Sequence, residues 1–405
     1  MIIEQSESRA PVGLSRTMTG LLALACGVAV ANVYFPQAIT PLIAAGLHTG
    51  RGMAASAATT VQLGYAVGLF LLVPLGDRVP HRRLVVVLLA ATAIALTVAG
   101  LAPNMGVLLA ACACVGVTTV VPQILLPMAA DLVAEDRRGA VTGTLLSGLL
   151  AGILLARTFS GVLGAWLGWR ATYLVAAGAA LVLAAVLSRT MPRTGARSRE
   201  PYRSLLAAPV RLLGSEPELR RSCTYQVLLF GGFNAAWTAL ALLVTGPHYR
   251  LGTATVGLLA LVGAGSILCS QAAGRRVDRT GPDAVNRLCF AGALAAAAVL
   301  AIGYLGGVGG LVGLGAGMLL LDVAVQSGQV ANQARIFRLP GGLRARRNTA
   351  YMTCAFLGGS AGSWIGTRAS AGFGWGGVVV LIALAAAIAL AGQALTARRR
   401  VEVVR

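Results

Sequence analysis

Residues 83–102 read RLVVVLLAATAIALTVAGLA: one arginine, then nineteen residues without a charge. At 1.5 Å per residue, twenty helical residues reach about 30 Å, the thickness of a bilayer's hydrocarbon core. The run lacks the two-residue alternation of a barrel strand, which needs only about ten residues. It therefore reads as a transmembrane helix, and the rest of the chain repeats it. Apolar spans are read at 18–43, 56–76, 83–102, 106–130, 139–165, 170–189, 221–245, 252–274, 286–305, 308–334, 348–368 and 373–395. Composition agrees: the 405 residues are 57% hydrophobic and 11% charged, with mean hydropathy +0.79, against about 25% charged in soluble domains. Only lipid can solvate that much apolar surface, provided that helices satisfy the backbone polar groups. The expected fold class is an all-α integral membrane protein of twelve transmembrane helices.

The net charge of +20 would suggest nucleic acid if the protein were soluble. Here all thirty-three basic residues are arginine, nearly all in short loops, with no aromatic-interleaved basic face. They read as topology signals and contacts with anionic lipids of the bilayer, and no nucleic-acid partner is expected. Twenty-eight fall on one side of a twelve-span chain, from Arg9 and Arg16 through alternate loops to Arg405. Four (Arg51, Arg170, Arg250, Arg368) fall on the other, so both termini are expected in the cytoplasm. Met1–Met18 lacks the layout of a cleaved signal peptide, and the first span is expected to stay.

Residues 189–220 break the rhythm with Pro192, Pro201, Pro209 and Pro217 and no apolar run of membrane length. They read as a cytoplasmic linker between an N-terminal half, 1–188, and a C-terminal half with a basic tail, 221–405. Gly76-Asp77-Arg78 after the second span is echoed by Val277-Asp278-Arg279 after the eighth, and Gly168-Trp169-Arg170 by Gly374-Trp375-Gly376. Two echoes at nearly one offset indicate two six-helix halves of equal orientation, a parallel repeat. Such halves meet at a site near mid-membrane, which rocking would expose to each side in turn.

Ionisable residues inside apolar spans cost a few kcal/mol, by about the insertion scales, and mark candidate pathways. Asp322, midway along the tenth span, is a candidate for loading and releasing a proton; a permanent ion pair or a hydrogen-bonded cap is the alternative. Gln326, Gln329 and Gln333 extend a polar face from it, flanked by Asn332 and Arg335, and should line a wet pathway. Arg157, about 18 residues into the fifth span, is the second coupling candidate; it can snorkel, bind an acidic substrate or pair with a carboxylate, Asp322 included. The seven cysteines form no CxxC and the three histidines are scattered, so no metal site, catalytic set or enzyme activity is expected. No Gly-rich phosphate loop is present, and no cofactor is expected.

The loop Leu75-Gly76-Asp77-Arg78-Val79-Pro80-His81-Arg82-Arg83 is similar to the loop motif of the major facilitator superfamily, within it the bacterial twelve-helix drug- and sugar-efflux-like proton antiporters. The resemblance covers about residues 18–395. Gly274-Arg275-Arg276-Val277-Asp278-Arg279-Thr280-Gly281 is its later copy. The resemblance implies a major-facilitator-type transporter fold and a cytoplasmic gate that latches the halves, formed by Asp77, Arg78, Arg138, Asp278 and Arg279. It also places spans one, four, seven and ten around the cavity, with Asn32, Tyr34, Gln37, Thr119, Gln123, Asn234 and Trp237 as candidates beside Gln326 and Gln329. Each of these has helix-to-helix bonding as its alternative role. The chain departs from the family pattern at Cys112, where the resemblance places an arginine, and at Leu155–Gly161, which carries Arg157 and no proline. Pro122 is expected to kink the fourth span.

The reading that follows is a secondary active transporter of the bacterial inner membrane, exporting small amphipathic organic molecules in exchange for protons and acting as a monomer. A charge moved inward across 100 mV is worth about 2.3 kcal/mol, roughly a fifty-fold accumulation. Proton symport or uniport of a small organic solute, and a non-transporting membrane sensor or interaction protein, are the alternatives.

Overall fold

The computed structural model describes residues 14–193, 200–341 and 343–404; Arg9, linker residues 194–199 and Arg405 lie outside them. Every regular element among the described residues is helical. The N-terminal group comprises α1 (Arg16–Ala31), α2 (Phe35–Gly46), α3 (Arg51–Leu72), α4 (His81–Gly100), α5 (Met105–Thr118), α6 (Val121–Asp131), α7 (Glu135–Leu167) and α8 (Trp169–Thr190). After α9 (Tyr202–Ser215) come α10 (Pro217–Val244), α11 (Thr253–Val262), α12 (Ser266–Thr280), α13 (Pro282–Ala301), α14 (Gly307–Phe337) and α15 (Arg344–Val404).

Ten helical stretches are long and apolar enough to cross a bilayer, and the expected twelve spans differ from them in two places. The expected span 252–274 is cut by a 3₁₀ turn at Gly263–Gly265 into α11 and α12. The expected spans 348–368 and 373–395 run together in α15, whose one non-helical residue is Gly374 at φ 62°, ψ −157°. Without a Cβ, glycine reaches that conformation at little cost. The chain turns back there. Before Gly374, Tyr351 and Ser363 bond Gln226 and Thr238 in order along α10. After it, Trp375 donates to Leu300 O at the end of α13 and Gln393 to Asp283 O at its start.

Two further spans are bent. α1 gives way to α2 over Asn32–Tyr34, and α5 to α6 over Thr119–Val120. Pro36 and Pro122 each stand in the first turn of the new helix, where a missing N–H costs nothing. The linker holds a helix that its prolines concealed: α9 buries Leu205, Pro209 and Leu212, spaced four and three residues apart, on one face. Tyr202 at its start donates to Leu71 O at the end of α3.

Within the N-terminal group α1 packs on α7, α3 on α5 and α4 on α8; within the C-terminal group α10 packs on α15 and α13 on α14. The groups meet where α3 faces α15, α2 faces α10 and α7 faces α11. Large apolar side chains such as Ile94, Leu181, Val312 and Leu384 remain exposed on the outer surface, as lipid-facing positions require. The helix ends that carry most arginines lie on one face. There Arg82 donates to Ser188 O, Arg346 pairs with Glu200 and Arg347 with Glu216.

Candidate functional site

A cavity of about 730 Å³ lies between the helix groups and opens at the arginine-rich face. Asp77, Arg138 and Arg344 stand at its mouth with Leu205 and Pro209 of the linker helix. Its walls carry the amides of Gln123, Gln226, Gln326, Gln329 and Gln333 among apolar side chains, and its inner end is aromatic: Tyr34, Tyr65, Phe230, Phe233 and Phe356. Such a lining suits a solute with a flat apolar body and a few hydrogen-bonding groups.

The opposite face is shut by α7 against α11. Thr158 Oγ1 donates to Gly257 O at 2.8 Å and Thr253 Oγ1 to Gly161 O at 3.1 Å. The backbones are so close that a Cβ on Gly161 would stand 2.7 Å from Thr253 O.

Between that seal and the aromatic end of the cavity lies Arg157, 1% exposed. Its Nε donates to Gln37 Oε1 at 2.8 Å. Gln37 Nε2 donates to Asn234 Oδ1 at 2.9 Å, and Gln62 Nε2 donates to the same oxygen at 2.7 Å. This amide chain joins α2 and α3 of one group to α10 of the other. The guanidinium carbon lies 4.3 Å from the Trp237 ring centre, 4.7 Å from Tyr34 and 5.3 Å from Phe233. Each cation–π contact is worth about 0.5–2 kcal/mol, more when desolvated. Yet both Nη atoms lack a hydrogen-bond partner among the described residues.

Asp322 of α14 is fully buried, and both its carboxylate oxygens are likewise unpartnered. It rests against the break in the α11–α12 span: a Cβ on Gly263 would lie 2.5 Å from Asp322 Oδ2 and 3.7 Å from Leu154, one turn before Arg157. Glycine there makes the room. Asp322 and Arg157 act on each other electrostatically but form no hydrogen bond. The structure therefore brings the two charges of opposite groups to one closed interface without joining them.

The other sequence candidates divide. Tyr34, Gln123, Gln326 and Gln329 line the cavity, whereas Gln37, Asn234 and Trp237 stand behind its aromatic end around Arg157. Asn32 Nδ2 donates to Thr119 Oγ1 at 3.3 Å, and Thr119 donates to Ala29 O at 2.7 Å, so these two tie the bends of the first and fourth spans together. Of the gate set, Asp77 and Arg138 stand at the cavity mouth and Arg78 is exposed. Asp278 pairs with Arg338 at 3.2 Å within its own group, and Arg279 lines a separate lateral groove. Gln62 was not anticipated; its signal was being the lone amide in the second span. No group of three or more metal-ligating residues occurs among the described residues.

A second set of charges sits at the arginine-rich end of α14. Arg335, 6% exposed, pairs with Asp283 and Glu218 and donates to Ser222 and Asn332. Arg221 pairs with Asp283 at 2.8 Å, and both arginines face the Tyr225 ring. Arg335, expected beside a wet pathway, is instead buried in this network.

A family profile described as the Major Facilitator Superfamily matches residues 20–363. The chain belongs to that superfamily. The uncharacterized transporter YgaY of Escherichia coli O157:H7 is 35% identical over 365 residues, 90% of this chain and 92% of its own. The "Probable transporter SCO4007" of Streptomyces coelicolor is 36% identical over 397 residues, 98% of this chain and 90% of its own. Among solved structures, a mutant of the nucleoside transporter NupG superposes with TM-score 0.74 at 12% identity, covering 93% of this chain and 99% of that one; this likeness concerns the fold alone. As a major facilitator superfamily member the chain is a multi-pass membrane protein, and its function is secondary transport by alternating access rather than catalysis. A cavity open at one face above a seal at the other is one end state of that cycle.

Proposed function

We propose that this chain exports small amphipathic organic molecules from the cytoplasm in exchange for protons, with Asp322 carrying the proton and Arg157 as its counter-charge. The observation that carries the reading is the pair of buried, unpartnered charges from opposite helix groups at the interface that closes one face. The reading takes the arginine-rich face as cytoplasmic, with both termini there. It counts twelve crossings in six-helix halves, 1–188 and 221–405, joined by the linker 189–220. The turn at Gly374 makes two crossings of α15, and α11 with α12 makes one. The protein acts as a monomer in the bacterial inner membrane.

The coupling follows from dehydration. Closing α7 on α11 takes Asp322 out of water, which an ionised carboxylate without hydrogen bonds resists by several kcal/mol, on the order of the cost of burying an ion. A proton taken up outside removes that resistance and permits closure, which opens the solute cavity inward. Proton release inside and solute binding reverse the preference. The solute meets Tyr34, Gln123, Gln326 and Gln329 on the cavity side of the aromatic end, and the proton sits beyond it, so the two are coupled through movement of the halves rather than by contact. Asp77, Arg78 and Arg138 supply the cytoplasmic gate of the outward-open state, with Asp278 and Arg279 as its counterpart in the second half.

The test uses purified protein in liposomes with an internal pH dye, an imposed proton gradient and a panel of cationic drugs, sugars, amino acids and organic acids. Solute-dependent proton flux is expected in the wild type. Asp322→Asn, fixed in the uncharged form, is expected to lose that flux while solute exchange persists. Equal proton flux in both removes Asp322 from the role, and solute movement indifferent to the gradient makes the protein a uniporter.

A further inference from the structure

We propose that an anionic phospholipid occupies a lateral groove between α12, α13 and α14, its phosphate held by Arg275, Arg276 and Arg279. The groove encloses about 630 Å³, within the ~300–1,000 Å³ range of ligand sites. Leu288, Gly292, Leu320 and Ala324 line it, and the three arginines close one end. Leu288 on its rim is 51% exposed and belongs to the outer apolar surface. Along α12 the lining runs from Cys269 to Thr280, and its apolar part, from Cys269 up to Arg275, rises about 9 Å, against about 15 Å for half of a hydrocarbon core. The slot thus takes the headgroup-proximal part of an acyl chain, with the arginines at its polar end.

That charge is uncompensated. The three arginines are exposed and form no ion pair or side-chain hydrogen bond among the described residues. The neighbouring acids are committed elsewhere, Asp278 to Arg338 and Asp283 to Arg221 and Arg335. An apolar slot alone would take any acyl chain; basic pockets between spans select anionic headgroups. The groove is also separate from the solute cavity. α14 presents Leu320, Ala324 and Ser327 to the groove and Val325, Gln326 and Gln329 to the cavity.

Native mass spectrometry of the full chain, released from detergent after titration with phosphatidylglycerol or phosphatidylcholine, tests the assignment. The wild type is expected to retain phosphatidylglycerol in preference. Arg275→Gln/Arg276→Gln/Arg279→Gln should weaken its retention by roughly a hundredfold, to the phosphatidylcholine level, from about 1 kcal/mol per arginine. Gly292→Leu keeps the charges and fills the slot; a Cβ there meets only Ala324 at 3.7 Å, so it should fold and lose the lipid as well. Melting without lipid reports on folding, and if the triple variant is unstable, Gly292→Leu decides. Equal retention of both lipids by the wild type overturns the proposal, as does full retention by Gly292→Leu. Displacement of the lipid by glycerophosphate at equal affinity overturns it too, since the acyl chains would then contribute nothing.

Discussion

Asp322 and Arg335 lie on the same helix, thirteen residues or about 20 Å apart, and both are buried, yet their surroundings are opposite. Arg335 has two carboxylates, a hydroxyl, an amide and an aromatic face around it. Asp322 has space made by a missing side chain at Gly263, and no hydrogen bond. A charge whose bonding capacity is filled has one comfortable state and holds helices in place. A charge left unsatisfied at an interface that must open has two, and the balance between them can be moved by a proton or by water. α14 is thus anchored at its arginine-rich end and poised at its middle.

A double-mutant cycle at Arg157 and Asp322 gives the largest separation between the two sets. Arg157→Gln leaves a buried carboxylate without its counter-charge and is expected to cost about 3–5 kcal/mol. Most of that should return in Arg157→Gln/Asp322→Asn, read by thermal melting in detergent. Additive losses instead would mean that the two charges are not energetic partners. Arg335→Gln is expected to cost about 1–3 kcal/mol, with no recovery on adding Asp322→Asn and with proton coupling intact in the folded fraction. Loss of coupling there would make Arg335 as much a part of proton movement as Asp322. Gly161→Leu sharpens the comparison from the interface side. Its side chain collides with Thr253 O, and overpacking of about 1–3 kcal/mol should shift the population roughly five- to a hundredfold away from the sealed state. Distances between spin labels at the facing ends of α7 and α11 would lengthen accordingly; unchanged distances would show that the seal is not what parts. The smallest effect belongs to Asn32→Ala, which removes one interhelical bond, about 0.6 kcal/mol, and should leave solute affinity unchanged. A drop in affinity would return Asn32 to the cavity.

The sequence made the membrane spans legible because twenty uncharged residues admit one interpretation in water and lipid. It also singled out Asp322 and Arg157, since a charge inside such a run is costly wherever it points. The surroundings of those charges were not legible. The rings around Arg157 come from Tyr34 in the bend of the first span and from Phe233 and Trp237 on α10, and no pattern within one span reveals them. Gln62 escaped because the resemblance directs attention to spans one, four, seven and ten, although the amide was visible in the second. The repeated Asp-Arg pairs show the opposite failure. Asp77-Arg78 and Asp278-Arg279 read alike, but one aspartate reaches the central cavity while the other pairs at an exposed edge. Tertiary position, which repetition in sequence does not encode, separates them.

The helix α9 lies at the rim of the central cavity through Leu205 and Pro209, and Tyr202 fastens its start to Leu71. The strap joining the two leaves of this door is therefore also part of the sill. Whatever enters from that face passes over this sill, so a change confined to the connecting helix bears on the entrance while leaving the room behind it as it is.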